Sequence, residues 1–219
     1  MHLLVIGGSG RTGKLVAEEA LKRGHSLTAL IRNSGSLQSR DGLTIIEGSP
    51  LNKPDVEAAF NAEPVNAVIV TLNAPRKSDN PFSAPVSPPR LMADSHANIA
   101  AVMKQHGVTK IVTMAAFGVG DSFSNANVLI RLIFKYSNMS YQFEDHGLVD
   151  QEMKASGLNY VLVRPTMLAE GEAQPIKEFG NTGRGVGVTS KITRKSVAVF
   201  LVDAAEKNKW DKTTPVLTN

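Results

Sequence analysis

The chain opens on an apolar run that ends in a cluster of glycines, His2–Leu3–Leu4–Val5–Ile6–Gly7–Gly8–Ser9–Gly10–Arg11–Thr12–Gly13, and a helical pattern follows at once. No other stretch restricts the fold so strongly. A strand, a tight turn and a helix N-terminus in direct succession form the dinucleotide-binding corner of an open α/β sheet. Gly7, Gly10 and Gly13 fall in G-x-x-G-x-x-G spacing. Such glycines let the backbone turn and approach a pyrophosphate with no Cβ in the way. The free N–H groups and positive dipole end of the next helix then favour phosphate. A purely structural turn is the alternative reading of the triplet taken alone.

The rest of the chain repeats the alternation. Strands are expected at 27–31, 43–47, 67–71, 110–114 and 159–163, with helices at 11–23, 54–60, 90–105, 126–136 and 141–155. The run Ala67-Val68-Ile69-Val70-Thr71 is apolar on both faces, as a central parallel strand requires. Strand–helix alternation of this kind predicts an α/β, Rossmann-like, doubly wound parallel sheet. We read residues 1–219 as one NAD(P)-binding domain, with residues 166–188 glycine-rich and irregular and the segment 166–190 as a small substrate-side lobe. A helix starting near Thr193 or Arg194 follows, and 215–217 is expected as a last edge strand. The segment 73–89 holds five prolines, which exclude helix and interior strand. It forms either one wall of the substrate pocket or a surface loop.

Arg32 carries the sharpest chemical inference. At the end of the second strand of such a fold, an acid binds the ribose 2′-hydroxyl of NAD, whereas an arginine accommodates the 2′-phosphate of NADP. The guanidinium is a planar fork that matches phosphate oxygens. Here the pair is Arg32-Asn33, with no acid beside it in sequence, and Arg11 in the glycine loop is a second cation for the same phosphate. The cofactor expected is therefore NADP(H). A solvated surface arginine is the competing reading.

Composition excludes several other functions. The 219 residues include no cysteine, which removes disulfides, thiolate metal sites and cysteine nucleophiles. The net charge is +4 without a dense Lys/Arg run, so nucleic acid is not an expected partner. No apolar run approaches the ~18 residues of a membrane span. The expectation is a cytoplasmic protein with a small-molecule substrate, no membrane partner, and a monomeric or weakly homo-oligomeric state. His2, His25, His96 and His106 show no metal-ligand spacing, and no metal site is expected. Asp121 and Ser122 lack the order of a Ser-His-Asp triad.

The glycine loop, Leu30-Ile31-Arg32-Asn33, Ala67-Val68-Ile69-Val70, Gly107-Val108-Thr109-Lys110-Ile111-Val112, Ser156-Gly157-Leu158-Asn159-Tyr160 and Arg164-Pro165 together resemble the NmrA-like, atypical short-chain dehydrogenase/reductases. Within them the resemblance is to the flavin reductases of the biliverdin reductase B type, and it covers nearly the whole chain. It implies cofactor contacts at Gly7, Ser9, Gly10, Arg11 and Thr12 for the phosphates and at Arg32 for the 2′-phosphate. It implies Leu72, Asn73 and Ala74 over the adenosine and ribose, Met114, Ala115 and Ala116 beside the nicotinamide ribose, and Pro165, Thr166 and Met167 facing the carboxamide. His146 matches a histidine near the active site and is the candidate proton donor, with Tyr141 a weaker one. A packing role is the alternative for both.

Three departures from the family pattern bear on activity. Gly48-Ser49 stands where an acid usually approaches the adenine, so Ser49 is the candidate replacement. Ala115-Ala116 stands where the reductase-like pattern has a hydroxyl pair. No Tyr-x-x-x-Lys pair is present, since Tyr136 is followed four residues on by Ser140 and Tyr141 by Asp145. Alcohol–ketone chemistry that needs a lysine-activated tyrosine is thereby disfavoured. Hydride transfer to a flavin or quinone needs little more than positioning of two rings. The reading is an NADPH-dependent oxidoreductase acting on a small conjugated acceptor. The alternatives are a non-catalytic NADP(H) sensor or regulatory protein, and a related enzyme repurposed for a non-redox biosynthetic step.

Overall fold

The computed structural model describes residues 1–78 and 80–219, apart from the side chains of 129, 130, 134 and 135. Six parallel strands form its centre: β1 (His2–Ile6), β2 (Ser26–Ile31), β3 (Leu43–Glu47), β4 (Ala67–Val70), β5 (Lys110–Met114) and β6 (Asn159–Pro165). Helices α1 (Arg11–Lys22), α2 (Lys53–Ala62), α3 (Leu91–Gln105), α4 (Val128–Tyr136), α5 (Met139–Ala155) and α6 (Arg194–Glu206) surround them. Short strands β7 (Met167–Ala169), β8 (Lys177–Glu178), β9 (Lys191–Thr193) and β10 (Val216–Thr218) complete the chain.

The main sheet runs β3-β2-β1-β4-β5-β6-β10-β8, and β7 and β9 form a separate parallel pair. Side chains alternate across the strands, so each strand feeds two cores. Leu3 and Val5 join Val16 and Ala20 of α1 with Val197 and Leu201 of α6. Leu4 and Ile6 join Val56 and Phe60 of α2, Met92, Ile99 and Met103 of α3, and Val149 and Met153 of α5. Helices therefore cover both faces, as a parallel sheet needs. The order reverses between β1 and β4, which are hydrogen-bonded neighbours. The crevice beyond the carboxyl ends of these two strands is where ligands of such sheets bind.

Two expectations need correction here. The strand at 215–217 is not an edge, because β10 pairs with β6 on one side and with antiparallel β8 on the other. β8 is only Lys177-Glu178, and two charged residues carry no strand periodicity. The segment 166–190 is not wholly irregular, since β8 ties it into the main sheet and β7 pairs with β9.

A buried ion pair fixes the ligand-side edge. Arg164, on β6, is fully buried. It donates to the carboxylate of Asp150 on α5, and its other terminal nitrogen donates to the Asn181 carbonyl at 2.8 Å. Lys154, one turn along α5, bridges Asp150 and Asp121, each at 2.9 Å. The network joins β6, α5, the loop after β5 and the segment after β8. Removing one partner of a buried pair leaves an uncompensated charge and costs about 3–5 kcal/mol. Asp150→Ala is expected to lower unfolding free energy by that order in urea denaturation. Lys154→Ala, whose ammonium is partly exposed, is expected to cost about 1 kcal/mol or less. Equal losses in the two variants would contradict this assignment.

Candidate cofactor and substrate site

The glycine loop is held shut by backbone contacts that leave no room for side chains. Gly7 has φ +86°, and its carbonyl accepts from Gly10 N–H at 3.0 Å. A Cβ placed on Gly13 would lie 2.1 Å from the Gly7 oxygen and 2.8 Å from the Gly8 Cα. Thr71, just after β4, donates its hydroxyl to the same Gly7 carbonyl at 3.1 Å. The two strands at the switch point thus lock the loop between them. Gly10 is the N-cap of α1 and has no side chain to fill the cap, and no acid stands in the first turn. The leading amides of α1 are left for an anion, with Ser9 and Arg11 at the rim and Thr12 buried beneath.

Arg32 follows β2, is exposed, and makes no hydrogen bond or ion pair among the described residues. The register of β2 and β3 sets Ile31 opposite Glu47, so an acid does stand near Arg32 in space. Sequence adjacency could not show this; the strand pairing does. The Glu47 carboxylate accepts from Ser34 N–H at 3.0 Å, and hydrogen bonding from the Ser34 side chain first, then from its backbone, holds the Glu47 pKa below the usual carboxylate value. Glu47 is therefore committed to the turn after β2. Ser49 is likewise a turn residue: its N–H donates to Asp55 at 2.8 Å and its hydroxyl oxygen accepts from Leu51 N–H at 3.3 Å. Asp55 of α2 thus sets its carboxylate against the Ser49 backbone.

Leu72, Asn73 and Ala74 leave β4 at the same end of the sheet, and Asn73 accepts from the Gln142 amide of α5. Met114, Ala115 and Ala116 leave β5, where Ala115 N–H donates to the Val163 carbonyl at 2.7 Å. Phe117 N–H donates to the Pro165 carbonyl at 3.1 Å, and Thr166 N–H to Leu217 at 3.0 Å. The candidate residues of the nicotinamide side are therefore adjacent in space. Ala116, Pro165, Thr166 and Met167 form one wall of a cavity of about 440 Å³. The other walls are Phe117, Asn125, Asn127, Ile133, Met139, Phe143 and the 186–190 turn. Its described lining contains no ionisable side chain. The Thr166 hydroxyl is buried without a hydrogen-bond partner among the described residues, an orphaned polar atom that a ligand would satisfy.

The proline-rich segment does not wall this cavity. Pro85, Pro88 and Pro89 line a neighbouring space of about 330 Å³, with Arg76, Arg90 and the start of α5. The apolar cavity takes its wall from α4 and α5, whose pattern does not reveal which side faces the ligand. Ser122 is buried and serves the backbone: its hydroxyl donates to the Val119 carbonyl at 2.8 Å and accepts from Gly118 N–H at 3.0 Å.

Tyr141 is exposed at the second cavity. His146 lies inside, 5% exposed, on the α5 face toward α3. Burial pushes its pKa down to about 4, with neighbouring His96 adding repulsion. At neutral pH its imidazole is therefore uncharged. His96 is buried too, and burial lowers its pKa. Its Nδ1 lies 2.7 Å from the Met92 carbonyl, which only accepts, so Nδ1 bears the proton and Nε2 accepts from the Thr113 hydroxyl at 3.1 Å. Asp145, between Tyr141 and His146 on α5, accepts from Met92 and Ala93 N–H at 2.8 and 2.9 Å and so caps α3.

The chain matches the NAD(P)H-binding family over residues 7–208 and belongs to that family. It shares 26% identity over 133 residues with the uncharacterized protein YwnB of Bacillus subtilis, a match spanning 61% of this chain and 54%, about half, of that protein. Among solved structures it is similar to a short-chain dehydrogenase/reductase of Veillonella parvula in complex with NADP. That similarity has TM-score 0.79 and 16% identity, covering 100% of this chain and 94% of that one. It is similar also to ChuY of Escherichia coli, described as an anaerobilin reductase, with TM-score 0.78 and 16% identity, covering 100% and 97%. At these identities the structures establish the fold alone, and that fold is a Rossmann-like α/β architecture.

Two outcomes follow from the site. Gly13→Ala puts a methyl group into the Gly7 carbonyl, and fluorescence titration is expected to show at least a ~10-fold loss of NAD(P)H affinity; unchanged affinity would refute the close-packed loop. The histidines make the fold acid-sensitive. Below pH 6.5 the unfolded chain protonates His146 while the folded chain does not, so stability is full above that value and falls until about pH 4. The shift corresponds to at most about 3 kcal/mol. Denaturant midpoints of His146→Gln are expected to fall less steeply between pH 7 and pH 4.5 than those of the unsubstituted protein. Parallel slopes would contradict the buried neutral imidazole.

Proposed function

We propose that the protein is an NADPH-dependent reductase of small, flat, conjugated acceptors of the flavin or quinone kind. The observation that carries this reading is the apolar cavity sharing Ala116, Pro165, Thr166 and Met167 with the nicotinamide side of the cofactor site. A ring seated there stands beside the position where reducing power is delivered. The close-packed glycine loop, the uncapped α1 and the orphaned Thr166 hydroxyl all fit a nicotinamide dinucleotide. NADPH, when bound, supplies a hydride.

The chain's own residues position and shield. Gly7, Ser9, Gly10, Arg11, Thr12 and Gly13 hold the pyrophosphate, and Arg32 takes the 2′-phosphate, since Glu47 is committed to Ser34. Leu72, Asn73 and Ala74 cover the adenosine side, with Ser49 at the adenine. Met114, Ala115 and Ala116 border the nicotinamide ribose, and Thr166 donates to a carbonyl at the ring. Phe117, Met139 and Phe143 keep water from the reacting faces. His146 stays neutral and sets the packing of α5 on α3, and Tyr141 stands outside the apolar cavity. The proton that completes reduction of the acceptor comes from water. The similarity to ChuY supports a reductase, and the Veillonella complex supports the choice of NADP. A sensor without turnover is the second reading, favoured by the missing hydroxyls at Ala115 and Ala116.

Purified protein is expected to oxidise NADPH with FMN, riboflavin or a short-chain quinone as acceptor, and NADH far more slowly. Arg32→Ala is expected to weaken NADPH binding by about 10–100-fold, the worth of a charge-assisted bidentate bond, and to leave NADH binding unchanged. Tight NADPH binding without turnover on any acceptor would favour the sensor. Equal loss for both dinucleotides would move the 2′-phosphate away from Arg32.

A further inference from the structure

The mouth of the apolar cavity is set in an exposed apolar and cationic surface. Val128, Leu132 and Tyr136 follow one another at i, i+4 and i+8 along α4, and are 65%, 46% and 69% exposed. Residues at this spacing share one helix face. Ile133, Met167 and Val188 line the cavity and are exposed at its rim. The apolar surface of the helix is thus continuous with the entrance.

The charge is equally localised. Two of the segments around the mouth, 122–143 and 179–191, contain Arg131, Lys135, Arg184 and Lys191 and no Asp or Glu. Setting these four aside leaves 20 of the 24 Lys and Arg, equal to the 20 Asp and Glu of the chain. The whole formal excess of +4 therefore belongs to these two segments. An exposed apolar helix face whose own segment carries cations and no acid is the pattern of a helix lying in a membrane interface, where apolar side chains enter the acyl boundary and cations meet anionic headgroups. A nucleic acid would use the cations and leave the stripe in water.

We propose that this face docks on an anionic lipid bilayer, with α4 in the interface and the cavity mouth turned toward the lipid. No described helix is long and apolar enough to cross a membrane, and surface docking requires none. Docking gives acceptors dissolved in the bilayer a direct route into the cavity; that route rests on the reductase reading, whereas the docking does not.

Cosedimentation with vesicles tests the docking without any turnover. The protein is expected to pellet with phosphatidylglycerol/phosphatidylcholine vesicles and to bind pure phosphatidylcholine at least ~10-fold more weakly, with raised salt reducing the difference. Arg184→Gln is expected to weaken binding roughly five-fold. Val128→Ser/Leu132→Ser, which leaves charge unchanged, is expected to abolish binding while NADPH affinity stays unchanged, showing that the variant is folded. Failure to pellet with anionic vesicles would overturn the proposal. So would a dimer in sedimentation velocity that the double variant converts to a monomer, because a second copy would then cover the face. Vesicle binding with no reductase activity would leave the docking standing and remove the entry route.

Discussion

The contact between the start of α1 and the turn after β1 is the constraint on which the other features depend. Backbone meets backbone there, with no space for a Cβ at position 13. This closeness aligns α1 with the end of β1, leaves the Gly10 cap unfilled and points the helix dipole into the switch-point crevice. Thr71 fastens the same turn from β4, so the two strands bordering the crevice share one hydrogen-bonded junction. An anion site assembled from backbone amides is rigid before any ligand arrives, because its geometry belongs to the sheet and not to side-chain rotamers.

Around that junction the chemistry is divided by polarity. The side proposed for the phosphates consists of amides and cations and opens toward solvent at Arg32. The side proposed for the nicotinamide consists of Ala116, Pro165 and Thr166 against Phe117 and Phe143, with no ionisable group on the described cavity wall. The buried Arg164–Asp150 pair stands behind this second half, binding β6 to α5 and to the segment after β8. The buried titratable groups of α3 and α5 are thus used for structure: Asp145 caps α3, Asp150 neutralises Arg164, and His96 and His146 are uncharged and packed. This suits a protein that orients two rings and lets water handle the proton.

Much of this was legible in the sequence because it is local. The apolar runs at β1, β3 and β5, the Gly7–Gly10 turn and the start of α6 at Arg194 are each written in a few consecutive residues. What was not legible depends on pairing across the fold. Glu47 reaches the neighbourhood of Arg32 only through the β2–β3 register. β10 is interior because a two-residue strand without periodicity covers it. The cavity wall comes from α4 and α5, whose facing is set by how the helices pack. The prolines of 73–89 marked a ligand-side loop, but the loop borders the neighbouring cavity. His146 was singled out by resemblance, and only its burial shows that it is held uncharged at neutral pH.

The most direct test of this division of the site is a crystal structure of the protein with NADP⁺ bound. We expect the 2′-phosphate at Arg32, the pyrophosphate on the first amides of α1, and the nicotinamide ring against Ala116 and Thr166 with one face open to the apolar cavity. A dinucleotide with its 2′-phosphate away from Arg32, or with its nicotinamide turned out of the cavity, would contradict it.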